Sequence, residues 1–380
     1  MTRSGPTRIC FVAPNLYPVL VGARDIPIIG GAEFRQAVLA RAFAAAGYAV
    51  SVITQDFKQP DDLVIDGIRV LKTHTPQAGI PLLRYLHPRL TSIIRCLRKA
   101  NADVYYQTSA SHLTAVVAWH CRRTGARSIY GGASDTDFTR GGERMQYARD
   151  RWLFRWGLAH VDAIVAQTPR QATLVRERYQ RHASIIRNPY AAPMQQREQR
   201  ANLILWVGGI RAVKRPDRFI ELARSLPQYR FRMIGGAVGD SAEAQAYFAS
   251  IRERAAMLSN VEFLGFQPLA AVEPHFDEAR VFVNTSEHEG FPNTFLQAWA
   301  RGIPTVSYFD AGASADGTRA FLWVRDAVEA AASLVNLLTD VRAWNTLSQC
   351  CNDHFTQWHS THKVVQQYAA LLRDWDKPST

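Results

Sequence analysis

Two glutamates, a glycine turn and a glutamine crowd into the stretch SEHEGFPNTFLQAWARGIP, residues 286–304. Glu287 and Glu289 precede a turn formed by Gly290, Phe291, Pro292, Asn293 and Thr294, and Gln297 stands eight residues after Glu289. Phe295, Leu296, Ala298 and Trp299 predict a helix that begins at about Thr294, with Asn293 as N-cap. The segment before it, RVFVNTS, reads as a strand. A glycine turn from strand end to helix start leaves backbone N–H groups facing a ligand, which suits phosphate. A carboxylate there would repel phosphate, so Glu289 is better suited to accept from sugar hydroxyls. Gln297, one turn into the helix, is placed for a second set of hydroxyls. Sugar, phosphate and sugar in that order describe a nucleotide sugar. A surface turn with capping acids is the competing reading, and Glu287 has no assigned role.

Two further loops have the right chemistry for an anion. GARDIPIIGGAE follows a first strand and precedes a helix, and Gly30 and Gly31 permit close backbone approach. A phosphate loop and a plain tight turn both fit it. WVGGIRAVKRPDRFIELA ends a strand at Gly208-Gly209 and then places Arg211 and Lys214 ahead of a helix that starts near Pro216. Lys and Arg at such an edge suit a diphosphate; a solvated basic loop is the alternative. Neither G-x-G-x-x-G nor G-x-x-x-x-G-K-[ST] occurs in the chain.

These loops need strands and helices to hold them, and the chain alternates the two. RICFVAP, AVSVIT, DVYYQTS, RSIYGGAS and DAIVAQT read as strands separated by amphipathic helices, the signature of βαβ units. A polar, proline-containing segment interrupts the pattern. A second series then follows with LILWVGG, RFRMIGG, VEFLGF, ARVFVNTS and IPTVSYF. The expectation is α/β: two doubly wound, Rossmann-like domains over residues 1–189 and 202–380, joined by a linker at 190–201. The carboxyl ends of the strands would carry the ligands in a cleft between the domains. The last segment, VVQQYAALLRDWD, is an amphipathic helix that is open to packing back on the first domain.

Composition narrows the classes. At 380 residues and 47% hydrophobic content the chain can build two cores, and no apolar run approaches a membrane span. The opening MTRSGPTRICFVAP is too quickly polar for a signal peptide, so a cytoplasmic location is expected. Five cysteines without a C-x-x-C pair favour neither a disulfide framework nor a zinc site. Charge is uneven: residues 1–200 hold 28 Lys and Arg against 14 Asp and Glu, and the remainder holds 17 against 19. The surplus suggests an anionic partner for the front half. PLLRYLHPRLTSIIRCLRK (Pro81 to Lys99) and RMQYARDRWLFRWGLAH are basic-aromatic segments. Each reads either as an interfacial helix on anionic lipid or as a core-facing helix with a basic outer face.

The second half resembles the donor-binding half of the family 4 glycosyltransferases, a retaining family of the GT-B fold. EGFPNTFLQ is similar to that family's E-x7-E motif, with Glu289 first and Gln297 in the second position. AWARGIPTVS, GGIRAVKRPDRFIELA, GGAE and IIRNPY resemble further family segments in the family's order. The chain departs from the pattern in four places. Gln297 replaces the second glutamate, Gly209 stands where an arginine is usual with Arg211 two residues later, and GGASDTDF lacks the usual histidine, leaving Asp135 as the nearest polar group. The stretch FDAGASADGTRAFLWVRDAVEAAAS is also shorter than usual.

The resemblance implies transfer of a hexosyl-type sugar from a UDP- or GDP-linked donor, with retention and without metal or other cofactor. Lys214, Arg211 and backbone amides would stabilise the leaving diphosphate. Glu289 would hold the transferred sugar, Gln297 the ribose, and Gly290 to Thr294 the sugar and phosphate. Gly209 belongs to the phosphate loop and Phe266 lies near the base. Gly30, Gly31, Glu33 and Asp135 would serve the other side. A glycan or lipid-linked acceptor in surface or exopolysaccharide assembly, met at the inner face of the membrane, fits the basic front half. A non-catalytic or epimerase-type relative on the same fold is the alternative. A tandem Rossmann oxidoreductase should show a dinucleotide fingerprint, and a nucleic-acid binder a recognition motif.

Overall fold

Runs of β-branched and aromatic residues form buried parallel strands, and the helices between them cover both faces of two sheets. The computed structural model describes residues 5–23, 31–79, 85–139, 141, 145, 147–193, 201–315 and 318–375. Gly30, the start of the Pro81 to Lys99 segment and most of the 190–201 linker lie outside the described residues. The chain divides into two units: residues up to Pro189 together with those from Thr361 onward, and Tyr190 to Ser360.

The first unit runs β1 (Arg8–Val12), α1 (Tyr17–Leu20), α2 (Gly31–Ala45), β2 (Ala49–Thr54), β3 (Leu63–Ile65), β4 (Ile68–Lys72), α3 (Thr91–Ala100), β5 (Val104–Thr108), α4 (Leu113–Thr124), β6 (Arg127–Gly131), α5 (Ala148–His160), β7 (Ala163–Ala166), α6 (Pro169–Tyr179) and β8 (Ser184–Ile185). Its strand order is β3-β4-β2-β1-β5-β6-β7-β8. All pairs are parallel except the β3–β4 hairpin. The order reverses direction between β1 and β5, so the loops leaving those two strands diverge and open a crevice.

α3 settles the first basic segment's orientation. Ile93, Cys96, Leu97 and Ala100 are buried in the core with Val12, Ile53 and Tyr105, while Arg95, Arg98 and Lys99 face outward. Its apolar face is therefore spent on the fold. α5 likewise buries Phe154 and Leu158 and leaves Trp152 exposed. α5 crosses α4 so closely that a Cβ on Gly157 would lie 2.6 Å from the Ala115 backbone nitrogen.

The second unit runs β9 (Leu203–Val207), α7 (Pro216–Ser225), β10 (Arg230–Ile234), α8 (Ala242–Ala256), β11 (Val261–Phe263), α9 (Leu269–Glu278), β12 (Val281–Asn284), α10 (Asn293–Trp299), β13 (Thr305–Ser307), a short hairpin β14 (Ser314–Ala315) with β15 (Thr318–Arg319), β16 (Leu322–Trp323), α11 (Ala327–Thr339) and α12 (Val341–Trp358). The parallel sheet has the order β11-β10-β9-β12-β13-β16, with its reversal between β9 and β12.

The last helix, α13 (Thr361–Asp374), belongs to the first unit. Val364, Val365 and Tyr368 enter the core that holds Phe11 and Phe43, and the Tyr368 ring meets Phe43 edge-on at 5.6 Å. This explains why α2 is apolar on more than one side: the sheet covers one face and α13 packs on another.

Candidate active site

Because β9 and β12 are neighbours at the reversal of the second sheet, the loops that leave their carboxyl ends are forced together. The β9 loop carries Gly208, Gly209, Arg211 and Lys214; the β12 loop carries Ser286, Glu287 and Glu289. Close packing starts at the strand ends, where a Cβ on Gly235 after β10 would sit 1.9 Å from the Gly208 carbonyl oxygen. Only glycine lets the two strand ends approach in this way.

The two loops are tied at four points. The Glu287 backbone N–H donates to the Val213 carbonyl at 3.0 Å. The Thr285 hydroxyl donates to the Lys214 carbonyl at 2.7 Å and accepts from the Trp206 indole at 2.8 Å. Lys214 Nζ forms an ion pair with Glu289 Oε1, which also accepts from the Ser286 hydroxyl at 2.8 Å. Arg215 joins Glu287 at 2.7 Å and Asp217 at 2.8 Å. Glu287, which had no assigned role, thus braces the basic loop, and the Arg215 guanidinium holds its carboxyl below the usual range.

Lys214 and Glu289 are mostly buried, with side chains 17% and 12% exposed. Arg211 is exposed on the same loop, immediately before the single-turn helix that carries Lys214. Gly209 sits against Val238, whose Cγ2 a Cβ would meet at 2.4 Å. The β9 and β12 loops thereby carry three cations (Arg211, Lys214 and Arg215), two carboxylates (Glu287 and Glu289) and a glycine turn, and no sequence separation of 75 residues would have suggested the Lys214–Glu289 contact.

Past Glu289 the turn differs in detail from expectation. Helix α10 begins at Asn293, so the N-cap is Pro292 (φ −67°, ψ 119°) and not Asn293. Proline has no side-chain acceptor, and the first turn carries no side-chain cap. Gly290, Asn293 and Thr294 are half-buried, and the Phe291 ring turns inward to stack on His359 at 4.9 Å.

Gln297 is 4% exposed and its amide nitrogen donates to Glu273 Oε1 at 2.9 Å. A carboxylate from α9 thus takes one hydrogen of the amide offered to ribose hydroxyls on sequence grounds. Glu273 Oε2 accepts from Tyr190 at 2.6 Å and from Arg301 at 2.7 Å, and Arg301 also reaches Asp277 at 2.6 Å. Nothing in the spacing of Glu273, Tyr190 and Arg301 pointed to this cluster, because it joins α9, α10 and the chain's entry into the unit. Phe266 is exposed on the loop between β11 and α9.

In the first unit, Gly31 opens α2, Glu33 lies in its first turn, and Gly30 lies outside the described residues. Asp135 starts a short turn after β6 and pairs with Arg170 at 3.0 Å. Its neighbour Asp137 is the buried acid: it accepts from the Tyr130 hydroxyl at 2.8 Å and the Ala133 N–H at 2.7 Å, and burial raises its carboxyl above the ordinary value. Over the carboxyl ends of β1, β2 and β4 lies a mostly apolar cavity of about 120 Å³, whose lining includes Pro14, His74, Tyr85, Arg89 and His112. The Ser92 hydroxyl donates to the Arg89 carbonyl, so His74 Nδ1 carries the hydrogen that meets Ser92 Oγ at 2.9 Å. Burial lowers both His74 and His112, which favours neutral rings. The sequence reading did not single out this cavity. Among the described residues no group of three or more His, Cys, Asp or Glu is placed to hold a metal ion.

Comparisons with known proteins agree with this geometry. Residues 30–191 match the family described as glycosyl transferase 4-like domain, and residues 201–340 match glycosyl transferases group 1. No curated protein sequence matches the chain. Among solved structures, sucrose-phosphate synthase from Thermosynechococcus elongatus has a TM-score of 0.75 at 18% identity, covering 97% of this chain and 99% of that one. Anabaena HepE in complex with UDP and glucose has a TM-score of 0.69 at 15% identity, over 97% and 100% of the two chains. The catalytic domain of starch synthase IV from Arabidopsis thaliana, bound to ADP and acarbose, has a TM-score of 0.65 at 12% identity, over 97% and 99%. The family matches cover both units, and the structural likeness spans the chain at full length. The chain belongs to the family 4 glycosyltransferases of the GT-B fold.

Proposed function

We propose that the chain transfers a hexosyl group from a UDP- or GDP-linked donor to a glycan or lipid-linked acceptor, with retention and without a metal. One observation carries this reading: Lys214 and Glu289 meet at the reversal of the second sheet, beside Arg211 and an uncapped helix start. HepE and starch synthase IV, which share the fold, were solved with UDP and glucose and with ADP and acarbose.

In this mechanism the bond between the donor's anomeric carbon and its diphosphate oxygen breaks while the acceptor oxygen bonds to the same face. The acceptor's proton passes to the leaving phosphate, so no protein nucleophile is required. Lys214 and Arg211 supply fixed positive charge to the departing diphosphate, and the amides of Gly290 to Thr294 add donors; Gly209 allows the loop's close approach. Such stabilisation of developing charge is usually the largest catalytic contribution. Glu289 exchanges its contact with Lys214 for hydroxyls of the transferred sugar. Gly30 and Gly31 belong to the donor-binding set, Glu33 and Asp135 to the acceptor side, and Asp135 also to the catalytic groups, with the His74–His112 cavity as the acceptor's pocket.

We place the reaction at the inner face of the cytoplasmic membrane, in surface or exopolysaccharide assembly. The outward cations of α3, with the exposed Trp119 and Trp152 of α4 and α5, would meet anionic lipid. Because the apolar face of α3 is buried, this contact is electrostatic rather than inserted, and salt should release it.

Thermal unfolding of the full chain with UDP, GDP, ADP, their sugar conjugates and NAD tests the donor class. A saturating donor, at about 100 times its dissociation constant, is expected to stabilise by roughly 2.7 kcal/mol. A shift with NAD alone would overturn the proposal.

A further inference from the structure

Motif position 297 lacks a carboxylate, yet a carboxylate stands beside it in space. We infer that Glu273 is the acceptor for the ribose hydroxyls of the donor nucleotide; this rests on the donor-site reading above.

The cluster is built from the inside outward. Gln297, Arg301 and Tyr190 are only 3–4% exposed, whereas the Glu273 side chain that all three hold is 28% exposed. A carboxylate cannot donate while ionised, so the Gln297 amide must turn its nitrogen toward Glu273, as the 2.9 Å contact shows. Glu273 Oε2 already accepts two hydrogen bonds, but Oε1 accepts one. Each carboxylate oxygen offers about two acceptor sites, which leaves capacity at Oε1 for a hydroxyl. Arg301, also paired with Asp277, keeps the negative charge of Glu273 in place without exhausting it.

Position along the site supports a nucleoside. Gln297 lies four residues into α10 from Asn293, about 6 Å along the axis, which is one sugar ring away from the diphosphate end. Glu273 lies on α9, whose preceding loop presents the exposed Phe266 ring to solvent. Base on Phe266, ribose on Glu273 and diphosphate at Lys214 and Arg211 then follow one another. An acid that sequence comparison assigns to α10 is here supplied by α9, with Gln297 as the positioning residue.

The test compares a nucleoside diphosphate with its 2′,3′-dideoxy analogue by calorimetric titration of the full chain, after UDP, GDP and ADP have identified the base. The wild type is expected to prefer the ribose form by about tenfold or more, the worth of a hydrogen bond to a charged group. Glu273→Gln should cut that preference several-fold while leaving the dideoxy affinity near the wild-type value. Glu273→Asp retains the charge beside Arg301 but withdraws it by one methylene, and should lose preference with less loss of thermal stability. Equal weakening of both ligands, or unchanged preference in both variants, would make Glu273 purely structural and overturn the inference. Absence of nucleoside diphosphate binding in the wild type would instead remove the donor-site reading, and this inference with it.

Discussion

At the scale of residues, the site is governed by competition for Lys214. With Glu289 and Ser286 around it, the ammonium group is held in a mostly buried place and is neutralised by a partner that a diphosphate would have to share. Glu289→Gln is therefore expected to act in two directions. Nucleoside diphosphate should bind at least as tightly as to wild type, since the competing and repelling charge is gone, while transfer should fall about tenfold or more because a sugar contact is weakened. Titration and initial rates on the same preparation separate the two; weaker diphosphate binding would contradict the pairing argument. Lys214→Met should lower kcat by roughly 10²–10³-fold, the scale of losing one preorganised electrostatic donor, with an unchanged far-ultraviolet spectrum. The placement of Glu289 and Lys214 on loops between strand end and helix start was legible from the strand–helix alternation; their contact was not. Glu273 was not legible, since its meaning depends on α9 and α10 lying side by side, and local spacing does not encode that neighbour. Glu287 was opaque for the same reason: its partner Arg215 is 72 residues away.

At the scale of elements, alternation of apolar runs and amphipathic helices was enough to place the strands that carry the site. It missed the β3–β4 hairpin, although Asp66-Gly67, both with positive φ, is the turn such a hairpin requires. β3, on one side of it, is short and half-buried, so its pattern is faint. The basic segments could not be oriented from sequence, because a buried face and a lipid-facing face look alike until a partner is known; α3 shows that its partner is the sheet. Close helix contact is equally invisible. Gly157→Ala should cost about 1–3 kcal/mol, as the added methyl meets the α4 backbone at Ala115 and Thr114 rather than a yielding side chain. Helix propensity alone favours Ala by about 0.5–1 kcal/mol, so urea unfolding decides by sign: a stabilised variant would show that the α4–α5 crossing relaxes freely.

At the scale of the whole molecule, tandem doubly wound units were readable from the repeated strand–helix alternation, and the last helix was open to packing back on the first domain, where α13 is found. That packing depends on α2 leaving a second apolar face, which Val364, Val365 and Tyr368 fill with Leu371, Leu372 and Trp375 packed beside them. That unit also gathers three histidines whose burial favours the neutral ring: His74, His112 and His120. Nearby Arg89 lowers the first two further, and Arg98 lowers His120; Asp150 opposes this at His112. Folded values below the unfolded value of about 6.5 mean that the unfolded chain binds protons first as pH falls. Their contribution to stability is thus complete above about pH 6.5 and is lost below it, through the lowered folded values. The second unit has His275 lowered in the same way at a half-exposed position, with Arg232 beside it, and also buries His354 and His359. Acidification from about pH 7.5 to about pH 5.5 should therefore reduce the stability of the first unit before the carboxylates titrate. Hydrogen exchange followed by peptide across both units at the two pH values, corrected for the intrinsic rate, reads this directly. His120→Phe, which retains a ring against Tyr105 where the two now meet at 5.0 Å, should flatten part of the first unit's dependence. A first unit whose stability is unchanged between the two pH values, or a variant with an unaltered slope, would assign the acid sensitivity to groups other than these buried rings.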